Sequence, residues 1–83
     1  MKTVNILRNF ENIGQMVFDD ETKTIKILFD EENYKKYIGV IKLIVERINM
    51  RSDFGLIFDS EGIVRNANED VLIAIQQELF LGV

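Results

Sequence analysis

The stretch DEENYKKYIGVIKLIVERI, residues 30–48, decides how the rest of the chain is read. Asp30, Glu31 and Glu32 supply a capping side chain and acids at the positive end of a helix dipole. The apolar residues then switch to helical spacing. Tyr34, Tyr37, Ile38, Ile41, Ile44, Val45 and Ile48 all fall on one helical stripe, and Val40 and Leu43 widen it beyond the roughly 100° that a simple surface helix needs. Such a helix is expected to touch more than one neighbour. Arg47 and Arg51 stand near its end, where cations favour the carbonyl dipole. Tyr34 and Tyr37 lie on the stripe and are expected to be buried, each with a hydrogen-bonded hydroxyl.

Upstream of this helix the period is two. From Thr3 to Phe10, Val4, Ile6 and Phe10 face one way and Asn5, Leu7 and Asn9 the other, the pattern of a half-buried strand. GQMVF (14–18) and TIKILF (24–29) flank the polar run Asp19-Asp20-Glu21-Thr22-Lys23, a hairpin connection by length and composition. In the second of these strands Ile25, Ile27 and Phe29 should turn toward the core.

Downstream, FGLIF (54–58), the turn Asp59-Ser60-Glu61-Gly62 and IVR (63–65) read as a second hairpin, with Gly62 available for a positive φ. Asn66 with Glu69 three positions later opens a second helix carrying Val71, Leu72, Ile75 and Leu79, running to about Phe80 and ending at Gly82. The expected order is βββαββα: one α+β domain over residues 1–83, an antiparallel five-stranded sheet with two helices on one face. Residues 14–33 and 54–70 are each a hairpin feeding a capped helix, and whether that reflects a duplication stays open.

Composition narrows the chemistry. The chain has no His, no Cys, no Trp and no Pro, so a Cys/His zinc site, a disulfide, a thiol nucleophile and any His-dependent triad are excluded. Fourteen acids against ten scattered bases argue against a nonspecific nucleic-acid binder, and no direct nucleic-acid binding is expected. No apolar run reaches the roughly 18 residues of a membrane span, and the opening MKTVNILRNFEN does not read as a signal peptide. A cytoplasmic protein without membrane insertion is the expectation. Ser52 and Ser60 lack a His partner, so no catalytic residue and no cofactor are assigned.

Residues 34–75, YKKYIGVIKLIVERINMRSDFGLIFDSEGIVRNANEDVLIAI, resemble the helix, hairpin and helix of the roadblock/longin (profilin-like) superfamily, with Asp59-Ser60-Glu61-Gly62 standing at its acidic turn. That family places its other three strands after the second helix, whereas here three precede the first, an order related by circular permutation. The resemblance implies a dimeric scaffold or regulator associated with a small GTPase or motor system. GLIFDSEGIVRNANE (55–69) also resembles the first hairpin and helix of PAS sensor domains, a lower-ranked reading because their later strands have no counterpart here.

Two sets of surface residues are candidates for binding protein. If both helices cover one sheet face, Leu7, Val17, Leu28, Ile57 and also Val64 are left on the other. On the second helix Ile73 and Phe80 lie about half a turn from the core stripe, with Gln77 between them and Leu81 beside them. Together these exceed the apolar patch a small monomer leaves in water, which predicts a homodimer or a protein partner on the second helix or an edge strand. The alternative is a small phage or mobile-element inhibitor that occupies a basic groove of a host enzyme or defence complex with Asp19, Asp20, Glu21, Asp30, Glu31 and Glu32. These acids, with Asp59 and Glu61, are read as solvated turn and helix-start carboxylates, not as a metal site.

Overall fold

The computed structural model describes residues 1–81. Its elements are β1 (Lys2–Arg8), β2 (Glu11–Asp19), β3 (Thr24–Leu28), α1 (Glu31–Arg51), β4 (Ile57–Phe58), β5 (Ile63–Arg65) and α2 (Glu69–Phe80), the expected βββαββα order. They form one antiparallel sheet in the order β1-β2-β3-β5-β4. Ile6, Met16, Phe18, Ile25, Ile27 and Val64 line its inner face, and Ile41, Ile44, Val45, Ile48, Val71, Leu72, Ile75 and Leu79 of the two helices close over them. Each such side chain contributes about 1.5–3 kcal/mol by leaving water.

α1 begins where its acids require. The Asp30 carboxylate accepts from the Asn33 amide at 2.8 Å, and Glu31 and Glu32 occupy the first turn. Tyr37 is buried, but Tyr34 is exposed, against expectation. Tyr34 lies in the first turn and reaches out beside the β4–β5 turn, its ring edge 3.9 Å from where a Cβ on Gly62 would stand. Of the residues expected to widen the stripe, Val40 packs against the core and Leu43 faces solvent.

The larger boundary shifts have local reasons. β1 ends at Arg8, and β2 starts at Glu11 instead of residue 14, because Asn9 and Phe10 close a two-residue hairpin with φ of 53° and 65°. Phe10 therefore leaves the core side assigned to it and stands exposed at the hairpin tip. Beyond the tip the register jumps from Ile6↔Gly14 to Leu7↔Asn12, so Ile13 is a bulge residue, and the Asn33 side chain donates to its carbonyl at 3.2 Å.

In the second hairpin only Ile57 and Phe58 pair as strand, not residues 54–58. Leu56 donates its N–H to Asn49 Oδ1 at 2.8 Å and accepts from Asn49 Nδ2 at 2.9 Å, so a helix side chain takes the place of a neighbouring strand. The turn follows as read: the Gly62 N–H donates to the Asp59 carbonyl at 3.1 Å, and Gly62 has φ 80°. Asn68, not Asn66, caps α2, accepting from the Val71 amide at 2.9 Å. Asn66 instead adopts φ 63° and donates its side-chain amide to the Gly55 carbonyl. The helix is described to Phe80 with Leu81 as its cap; the expected stop at Gly82 lies outside the described residues.

Candidate interaction surface

The β1–β2 hairpin and α2 come together at one edge of the sheet. α2 crosses the inner side of β1, and the Gln76 side-chain amide donates to the Asn5 carbonyl at 3.1 Å. One turn further along α2, the Phe80 ring meets the Phe10 ring edge to face, with centroids 6.0 Å apart and planes at 89°. Leu7, Gln76, Gln77, Phe80 and Leu81 line an open groove of about 410 Å³. Phe10 stands at its rim, 90% exposed, with Phe80 46% and Leu81 76% exposed. Ile73, also exposed, extends the same helical stripe by i, i+4 and i+7 to Gln77 and Phe80.

Of the residues picked from sequence, this surface gathers Leu7, Ile73, Gln77, Phe80 and Leu81. Phe10, its most exposed member, is expected from the strand alternation on the same side as Val4 and Ile6. An Asn-Gly pair would have signalled the turn; Asn-Phe does not, because a bulky residue at positive φ is unusual.

The outer sheet face is a different matter. Val17, Leu28 and Ile57 lie on it as expected, but Val64 does not: it pairs with Ile25 and Phe58 on the inner face and is fully buried. The register sets Val17 beside Thr3 and Lys26, Leu28 beside Gln15, and Ile57 beside Arg65. No two of these apolar residues are direct cross-strand neighbours, so the face is a mixed polar surface.

The acids are likewise divided. Asp19, Asp20 and Glu21 occupy the β2–β3 turn, whereas Asp30, Glu31 and Glu32 start α1 at the other end of the β2–β3 ladder. Four register steps separate the Asp19↔Thr24 pair from the Gln15↔Leu28 pair, roughly 13 Å at about 3.3 Å per residue. Their local roles are visible: Asp19 accepts from the Glu21 amide at 3.0 Å, and Asp30 caps α1. Among the described residues no three acids converge on a point that could hold a metal ion.

The Asp59 carboxyl titrates below its ordinary value. The amide of Ile63, donating to its carboxylate at 3.1 Å, holds its pKa below the ordinary carboxylate value, helped by the Glu61 amide and Arg65. Those bonds tie the β4–β5 turn together, which is a structural role.

Among the described residues no helix is long and apolar enough to cross a membrane. Compared with described protein families, curated proteins and solved structures, the chain matches none of them.

Proposed function

We propose that this protein is a non-catalytic binding module that self-associates through the β1–β2 hairpin tip and the C-terminal half of α2. The observation that carries the reading is Phe10. It holds φ 65°, where Gly is at ease and a side chain costs about 1–2 kcal/mol. Among the described residues its one ring contact is the edge-to-face one with Phe80, and it stays 90% exposed. The fold gains little from this aromatic ring, so its use lies outside the single chain.

A second copy suits the surface. A protruding ring beside a groove is a knob and a hole on one patch, the arrangement that a two-fold axis makes self-complementary. The groove lining and Phe10 carry no charge, so a two-fold contact sets no like charges of theirs together. Leu7, Phe10, Ile73, Phe80 and Leu81 offer roughly 600 Å² of apolar area, close to the ~800 Å² per partner of an ordinary interface.

The test is Phe10→Gly, examined by sedimentation equilibrium. The native chain should sediment as a dimer and the variant as a monomer. Because Asn-Gly suits this turn better than Asn-Phe, the variant monomer should also be the more stable by about 1 kcal/mol. A native chain that stays monomeric at high micromolar concentration overturns the proposal.

A further inference from the structure

β1 is an edge strand, and one bond on the far side of the sheet fixes which of its backbone groups point outward. The Ile27 N–H donates to the Gly62 carbonyl at 3.2 Å, so the odd-numbered residues of β3 turn their backbone groups toward β5 and the even-numbered ones toward β2. Carried through the register, Met16 and Gly14 of β2 turn to Val4 and Ile6. Thr3, Asn5 and Leu7 are left with N–H and C=O directed away from the sheet. β1 is seven residues long and holds no proline, so nothing in its own backbone stops a further strand from adding there.

α2 supplies the stop. Glu69 ion-pairs with Lys2 at the start of β1, and about two turns further on Gln76 Nε2 donates to the Asn5 carbonyl at 3.1 Å. Asn5 is the middle one of the three outward residues, so a strand lying across all of them must bond that carbonyl. The Gln76 carboxamide stands where such a strand would donate, in a lane only about 4.8 Å wide. Burial does not call for this bond, because Asn5 is exposed and water can satisfy its carbonyl. The other edge is closed in the same way. The Asp59 N–H bonds the Ile63 carbonyl, the register therefore turns Leu56 and Phe58 outward, and Asn49 of α1 takes both backbone groups of Leu56. Each helix thus sends one carboxamide to the sheet edge beside it.

We infer that Gln76 guards the β1 edge: while it holds the Asn5 carbonyl, the edge does not accept β1 of a second copy. A second copy fits the edge because it brings the same outward groups at the same spacing. In an antiparallel pair with Val4 opposite Val4, Thr3 faces Asn5 and Lys2 faces Ile6, so no like charges meet, and the two sheets join into one. The guard acts whether or not the hairpin patch pairs copies.

The test is made in Phe10→Gly, which takes the hairpin patch out of play. Gln76→Met keeps the side-chain length without the donor, and Gln76→Ala shortens it as well; circular dichroism checks that each is folded. At high micromolar concentration both should sediment as dimers or larger species while the Phe10→Gly parent is a monomer. Exchange of the Thr3 and Asn5 amides should slow by roughly tenfold or more in the associated form. Adding Thr3→Pro removes an outward N–H that the sheet does not use and should return both variants to monomers. Gln76 variants that stay monomeric, or that associate regardless of Thr3→Pro, would overturn the inference. So would a parent whose association Thr3→Pro abolishes, since the edge would then be open with Gln76 in place.

Discussion

A Cβ added at Gly14 would lie 2.5 Å from the Leu28 carbonyl oxygen and 2.6 Å from the Phe29 ring, inside both van der Waals envelopes. The ring of Phe29 presses on the bare backbone of β2 and rests at 6.0 Å from Tyr37, joining sheet to helix. Gly14 is therefore a packing residue in a strand, where glycine is otherwise unfavourable. At Gly39 the surroundings are open. The same substitution should act with opposite sign at the two positions. Gly14→Ala should lose about 3 kcal/mol, the upper end for overpacking, because the obstructing atom is backbone. Gly39→Ala should gain about 1 kcal/mol, a rise of about 4–8 °C in a domain of this size. Thermal melts of the two variants, each at one low protein concentration, check both signs, and a neutral Gly14→Ala would contradict the packing described.

The element that escaped the sequence is the segment before β4, and the reason lies in one side chain of α1. Apolar residues at 54–58 read as a strand because a run of that length between turn signals usually is one. Here Asn49 supplies both hydrogen bonds that a partner strand would give Leu56, and Leu56 is buried without joining the sheet. A lone Asn on a helix carries no signal of that use. The helices, by contrast, were legible because Asp30 and the apolar stripe of α1 act locally, and only the cap of α2 slipped by two residues, from Asn66 to Asn68. The patch on α2 was legible for the same reason: Ile73, Gln77 and Phe80 are set by helical phase alone. Its partner Phe10 was not, since the turn that exposes it contradicts the usual preference for glycine. Asn49→Ala should therefore act at the level of the element. It leaves the Leu56 N–H and carbonyl without partners, at about 1–3 kcal/mol for a part-buried pair, and frees the 52–56 connection. Amide exchange should accelerate at Leu56 and through β4 while β1 and β2 keep their protection. Uniform acceleration over the whole sheet would show instead that the bracket is part of the global core.

For the whole molecule the limiting quantity is buried apolar surface. Eighty-three residues without a disulfide form one small core, and such domains stand only a few kcal/mol above unfolding. Phe10 and Leu81 remain largely in water in the single chain, and Phe80 nearly half so. Covering them in a dimer would add to stability by mass action, since only the folded chain presents the patch. Unfolding coupled to dissociation makes the melting temperature depend on concentration. A hundredfold increase, from about 5 to about 500 μM, adds about 2.7 kcal/mol per dimer or roughly 1.4 kcal/mol per chain, a rise of about 5–10 °C. Phe10→Gly should remove this dependence while melting higher than the native chain at concentrations below the dimer's Kd, where strain at the turn matters and association does not. The two melting curves should therefore cross as concentration rises. Parallel, concentration-independent curves would mean that the patch stays uncovered by a second copy, and would return Phe10 to being an unexplained strained residue of a monomer.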